Sequence, residues 1–262
     1  MDIERLSFSH RSDAPLLDKL TFQIPKGRIT TIIGPNGSGK STLLGVLSRN
    51  YLPYEGSARI DGKEIADFKP KELARKLAVV HQQNSAPEDM TVERLVAFGR
   101  QPHRSLLKPH AREDEACVDW ALAVTGLLDK RSEPLARLSG GEKQRAWIGM
   151  ALAQRTGILF LDEPTTFLDP FHQLELMELV QALNREQNLT IVMVLHDMNQ
   201  ALRYSDELIV MKAGAVAVRG RPELVLTPEL IADVYGVKAR LYFCSETKMN
   251  HIQLIETMKS KG

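Results

Sequence analysis

The chain has 262 residues, enough to bury a substantial core in one large domain or two small ones. Its 34 lysines and arginines stand against 33 aspartates and glutamates, a formal net charge of +1 that argues against a strongly basic surface and against nucleic acid as a partner. No apolar run approaches the ~18 residues of a membrane span. The opening Met1-Asp2-Ile3-Glu4-Arg5 lacks the basic and apolar blocks of a secretory signal, and Cys117 and Cys244 lie far apart in no metal-ligand spacing. The expectation is a cytosolic chain with reduced thiols.

Taken in order, residues 3–9 and 21–24 alternate as short strands, and residues 29–33 (Ile-Thr-Thr-Ile-Ile) read as a buried strand. A glycine-rich loop follows, then a helix from Ser41 through Leu47, and a further strand at 57–60. The early strands form an antiparallel layer on the N-terminal side. Residues 77–81 are a strand followed by Gln82-Gln83. From Pro87 to Arg137 the pattern becomes helical, with helices at 93–99 and 113–125 around a Pro/His/Arg-containing loop at 101–110, which reads as a helical insertion at 87–137. Strands return at 157–161, 190–195 and 207–211 with helices between them. This alternation predicts an α/β protein with a mostly parallel core sheet. In a short C-terminal extension, residues 222–262, Thr227 as N-cap and Pro228 at the first helical position start a helix towards Tyr235. Two strands at 239–244 and 251–255 close the chain.

The loop Gly34-Pro35-Asn36-Gly37-Ser38-Gly39-Lys40-Ser41 has the form G-x-x-x-x-G-K-[ST], with Thr42 next. Such a loop turns backbone N–H groups towards phosphates, sends its lysine to the β/γ oxygens and gives its hydroxyl to Mg²⁺. Its setting, strand then loop then helix, is the one the motif needs, and the helix N-terminus adds about half a positive charge. In the middle of the chain the apolar run Ile158-Leu159-Phe160-Leu161 ends in Asp162-Glu163, two carboxylates at the carboxyl edge of the sheet. Asp162 suits Mg²⁺ through water and Glu163 suits a general base for an attacking water. Without the upstream loop the pair would read as a turn before Pro164. Ser139 and Glu142 stand in S-x-x-E spacing, a capping box for the helix through Ala146, Ile148 and Met150 to Ala153. Capping alone does not require Gly140 and Gly141 between them, and Ser-Gly-Gly at a helix N-terminus makes an unobstructed anion site. Gln82 and Gln83 look equivalent after their strand, His196 ends the strand at 190–195, and Asp169 before Pro170 is a natural N-cap.

With these motifs in this order, the chain resembles the nucleotide-binding subunits of ATP-binding-cassette transporters along essentially its whole length. The resemblance implies a P-loop NTPase cassette, a single domain over 1–262, with ATP and Mg²⁺ as cofactors. It implies a head-to-tail homodimer in which Ser139, Gly140 and Gly141 of one subunit close over ATP held by the phosphate loop of the other. By the family's register Gln82 senses Mg²⁺ and water, Asp169 communicates across the dimer, and His196 contacts the γ-phosphate. The family's adenine-stacking aromatic is replaced here by Ser9-His10-Arg11, leaving His10 to stack or Arg11 to make a cation–π contact. Residues 150–154, 162–169 and 194–201 are similar to the ATPases of ferric-siderophore, haem and cobalamin importers, with siderophore uptake the first choice. A peripheral site on the cytoplasmic face of the membrane is implied, with a permease pair docking near Gln82 and the helical insertion, fed by an extracytoplasmic binding protein. The alternative of a different class is a soluble cassette ATPase of translation or DNA repair.

Overall fold

The computed structural model describes residues 1–9, 15–53, 55–104 and 111–258. The expected adenine contacts His10 and Arg11 lie outside the described residues, as does the second part of the expected 101–110 loop. In chain order the elements are β1 (Asp2–Phe8), β2 (Leu17–Gln23), β3 (Ile29–Ile33), α1 (Lys40–Leu47), β4 (Glu55–Ile60), β5 (Lys63–Glu64), α2 (Pro70–Leu73), β6 (Leu77–Val80), α3 (Val92–Phe98), α4 (Ala111–Val124), α5 (Gly140–Ala153), β7 (Ile158–Asp162), α6 (Pro170–Gln187), β8 (Thr190–Val194), α7 (Met198–Tyr204), β9 (Glu207–Lys212), β10 (Ala215–Gly220), α8 (Pro222–Val225), α9 (Pro228–Tyr235), β11 (Val237–Cys244) and β12 (Met249–Thr257). Two compact units result, residues 1–67 with 192–262, and residues 68–191.

In the first unit, β3 is buried at all five positions and runs parallel to β9, with Ile33 opposite Val210. Its entry is fixed by the Ile29 amide, which donates to the Asp206 carboxylate at 2.8 Å. The apolar α1 continues the chain inward, burying Leu43, Leu44, Val46 and Leu47. The expected antiparallel layer is present as the four-stranded sheet β2-β1-β4-β5. Strand β2 begins at Leu17 rather than at residue 21, because irregular pairing with β1 breaks the alternation that marks a strand in the sequence. Strand β10, unexpected from the sequence, pairs antiparallel with β9. The C-terminal extension belongs to this unit: β11 and β12 form an antiparallel hairpin. Asn199 of α7 grips it as a strand would, its Oδ1 accepting the Ile252 amide at 2.8 Å and its Nδ2 donating to the Ile252 carbonyl at 3.1 Å.

In the second unit β6 and β7 pair in parallel, and the expected insertion at 87–137 lies here together with α5 and α6. Helices α3, α4 and α5 pack through Leu95, Val96, Ala121, Leu122, Ile148 and Leu152, all buried. Among them sits the side chain of Arg100, 2% exposed, its Nε donating to Asp114 at 2.7 Å and its Nη1 to the carbonyl of Ala153 at 2.9 Å. A buried guanidinium is tolerated only when its donors are matched, and removing it strands a helix-end carbonyl and leaves Asp114 with the longer ion pair to Arg104 at 3.8 Å. Arg100→Met should therefore lower the unfolding free energy by about 3 kcal/mol, seen as an earlier urea midpoint at unchanged slope.

Candidate functional site

The phosphate loop sits in the first unit, between β3 and α1. Gly34 leaves the strand at φ +153, and a Cβ there would lie 2.3 Å from the carbonyl oxygen of Met211, so no other residue fits. Lys40 is buried, and its ammonium donates to the carbonyls of Gly34 at 3.0 Å and Pro35 at 3.1 Å. The Ser38 amide donates to the Pro35 carbonyl at 3.2 Å, and the Ser38 carbonyl accepts the amide of Gly214 at 3.1 Å. Three carbonyls of the loop are thereby engaged within the protein. That leaves Asn36 and Gly37 exposed at the tip and the Ser41 hydroxyl in the exposed first turn of α1, beside the half-buried Thr42. An anion approaching from that side meets amides and a hydroxyl. His196 lies in the same unit, exposed just beyond β8, whose continuation is pinned where the Leu195 amide donates to the Ile32 carbonyl at 3.2 Å.

The carboxylates occupy the second unit. Four residues of β7 form an apolar run, and Asp162 ends it half-buried. Glu163 then turns out of the strand at φ 51, a left-handed conformation uncommon for this residue. Its side chain is held in place: Gln82 Nε2 donates to Oε2 at 2.5 Å and the Thr166 hydroxyl donates to the same atom at 3.3 Å. Of the two adjacent glutamines, it is Gln82 that reaches Glu163.

Ahead of α5, Ser139 and Glu142 close the expected capping box. The Glu142 amide donates to Ser139 Oγ at 3.3 Å and the Ser139 amide to Glu142 Oε2 at 2.8 Å. Lys130 donates to the other Glu142 oxygen; this bond, helped by the Ser139 amide, pulls the Glu142 carboxyl down to about 2. The two glycines have different causes. A Cβ on Gly141 would lie 2.0 Å from His172 Cδ2, so α5 can approach α6 only through glycine. A Cβ on Gly140 would meet only Leu168 Cδ2, at 3.9 Å, an ordinary contact, so packing within the chain does not require glycine there. Asp169 caps α6, accepting the His172 amide at 3.1 Å. The His172 contact left no sign in the sequence, since a helical histidine carries no marker of what faces it.

The oxygen donors on offer, the Ser41 hydroxyl, the Asp162 carboxylate and the Gln82 amide, are of the hard kind Mg²⁺ takes together with phosphate oxygens. Among the described residues no cluster of three or more His, Cys, Asp or Glu is placed to hold a metal by protein side chains alone, and no helix is long and apolar enough to cross a membrane.

Comparison with known proteins places the chain in a family. The ABC transporter family profile matches residues 17–166. The petrobactin import ATP-binding protein FpuC of Bacillus anthracis is 46% identical over 94% of this chain and 90% of its own length. The ferric enterobactin transport ATP-binding protein FepC of Escherichia coli (strain K12) is 46% identical over 86% of this chain and 83% of its own. The iron(3+)-hydroxamate import ATP-binding protein FhuC of Bacillus subtilis (strain 168) is 42% identical over 92% and 89%. Among solved structures, an inward-facing metal-chelate type ABC transporter matches with TM-score 0.84 at 26% identity, covering 97% of this chain and 96% of that one. A dimeric bacterial ABC transporter cassette matches with TM-score 0.73 at 28% identity, over 84% and 98%. This chain belongs to the ABC transporter family, as one of its ATP-hydrolysing cassettes.

Proposed function

We propose that this cassette energises the import of a ferric siderophore, working as a peripheral subunit on the cytoplasmic face of the membrane with a permease pair and an extracytoplasmic binding protein. The observation that carries the cargo is the sequence identity of 42–46% to ATP-binding proteins named for petrobactin, enterobactin and hydroxamate uptake. The whole of 1–262 acts as one cassette, with 87–137 as its helical insertion and 222–262 as its C-terminal extension.

In this reading the loop from Gly34 to Ser41, with Thr42, receives the triphosphate, and the Lys40 ammonium faces the β/γ oxygens. Ser41, Asp162 and Gln82 would hold Mg²⁺, which when bound supplies charge neutralisation on the phosphates. Glu163 takes a proton from the attacking water as its oxygen bonds to the γ-phosphorus and the bond to the β-phosphate oxygen breaks. The hydrogen bonds from Gln82 and Thr166 support this role by holding one carboxylate oxygen in place. His196 contacts the γ-phosphate, and whichever of His10 and Arg11 covers adenine completes the site.

The second phosphate surface, Ser139 with Gly140 and Gly141, closes over the triphosphate of a partner copy, and Asp169 signals across that interface. Support comes from Gly140, whose missing side chain the fold does not demand. A second anion surface explains it.

Glu163→Gln should bind ATP as the parent does while turnover falls by about 10² or more; steady-state hydrolysis together with filter binding measures both, and normal turnover would remove Glu163 from its role. Gly140→Asp adds a favourable charge to a helix N-terminus, so its melting temperature should hold and the isolated subunit should still bind ATP, while hydrolysis is lost. Undiminished hydrolysis in that variant would end the two-copy reading. Deleting the gene should abolish growth on a ferric siderophore as sole iron source and leave growth on haem intact; the reverse pattern would reassign the cargo.

A further inference from the structure

Hydrogen bonds hold the start of α6 on both sides of His172. Asp169 caps the helix by accepting the His172 amide at 3.1 Å, and Gln173 reaches back over the preceding loop, its Nε2 donating to the Leu168 carbonyl at 2.9 Å and the Thr165 carbonyl at 3.4 Å. Further along, Glu175 accepts Nη1 of Arg145 from α5 at 2.7 Å. The His172 ring fills the space in which any residue but glycine at position 141 would carry its Cβ, so it lies directly against the backbone of the first turn of α5. Phe171 meets the same ring edge-on, with centroids 5.4 Å apart. One atom takes no part in holding this block together. His172 Nδ1 is buried and has no hydrogen-bond partner among the described residues. Carboxylate oxygens of Asp169 and Glu175 stand 3.6 and 4.0 Å from it, beyond good hydrogen-bond length. Folding alone disfavours a polar nitrogen shut away from water without a bond. Glu175 is engaged by Arg145, which leaves Asp169 as the acceptor that a shift of about 0.5 Å would bring into range.

We propose that His172 is a positioning residue for hydrolysis: its ring seats Gly141, and with it the Ser139-Gly140-Gly141 turn, while its Nδ1 takes a bond to Asp169, so that the two elements assigned to the partner copy move as one. The proposal rests on the reading that these elements act on a second copy. Its consequence is that the geometry of the second phosphate surface is set by a histidine that makes no contact with phosphate. With the ring gone, a void opens under the first turn of α5, and Asp169 keeps only its cap to the His172 amide. The turn and the aspartate are then free to shift separately.

The test compares two substitutions of the same branched shape. Asparagine and leucine both place two atoms where the ring has Nδ1 and Cδ2, and asparagine alone offers polar atoms there. A role in packing favours leucine, the better helix former with no polar group to bury; the positioning role favours asparagine. In the full chain His172→Asn should keep kcat within about threefold of the parent, while His172→Leu should lower it about tenfold. Calorimetric titration with a non-hydrolysable imido analogue of ATP and Mg²⁺ should give Kd within about twofold of the parent in both, because the phosphate loop is untouched. Leucine matching or exceeding asparagine in kcat would assign His172 to packing and overturn the proposal, as would a Kd that rises in step with the loss of kcat. Should the leucine variant not fold, His172→Ala, which removes both contacts, carries the test: it should lose kcat at least as far, and a parental kcat in it overturns the proposal. Gly140→Asp in parallel separates the proposal from the reading beneath it. If that variant hydrolyses ATP undiminished, the two-copy reading has failed; if it is inactive while His172→Leu is fully active, the assignment of His172 alone has failed.

Discussion

An anion site made of backbone has a requirement that its amides do not meet by themselves: the carbonyls of the same peptides must face elsewhere. In this cassette the requirement is met by Lys40, whose ammonium gathers the carbonyls of Gly34 and Pro35, and by the turn before β10, whose Gly214 amide takes the carbonyl of Ser38. The arrangement also meets the need of the lysine, because an ammonium withdrawn from water must find acceptors or lose its proton. One charge therefore both shapes the loop and is kept in place by it. The buried β3 and its parallel neighbour β9 are the rigid frame from which the loop departs, and Met211 at the end of β9 sets the space at Gly34.

A comparable economy marks the carboxylates. Asp162 remains in the strand geometry of β7, whereas Glu163 adopts a positive φ that costs of order 1 kcal/mol and persists only where surrounding contacts fix it. Such contacts include the Gln82 amide, the Thr166 hydroxyl and the Thr166 amide, which donates to the Glu163 carbonyl at 3.2 Å. Adjacent residues on one continuous strand would point to opposite faces. The turn at Glu163 breaks that alternation, so the second carboxylate is aimed independently of the first.

What the sequence displayed and what it concealed follow from the range of the forces concerned. Residues 29–33 read as a strand and are one, because five consecutive buried positions leave a pattern that needs no knowledge of the partner strands. The capping box of α5 and the start of α9 were legible for the same reason, both being settled within four residues. Strand β10 was not legible: its residues alternate between exposed and half-buried and include alanine and glycine, so its main cause is the ladder with β9. Among site residues, the choice of Gln82 over Gln83 rests on a bond to a residue 81 positions away, and the need for Gly141 on a histidine in the next helix.

Some residues in or beside the proposed site also serve as helix caps. Ser139 caps α5, Asp169 caps α6, and Asp197, next to His196, caps α7 by accepting the amides of Asn199 and Gln200 at 2.7 and 3.0 Å. A cap contributes about 1 kcal/mol, small beside the loss of a catalytic interaction and yet enough to lower the population of a marginal fold. Under the roles proposed for Ser139 and Asp169, substitutions there therefore mix a stability effect with a chemical one, and activity alone cannot divide them. Gly140 is free of this ambiguity, because a Cβ added there meets only an ordinary contact with Leu168 and removes no hydroxyl cap. Whatever such a change does to hydrolysis reports on what approaches that helix end from outside.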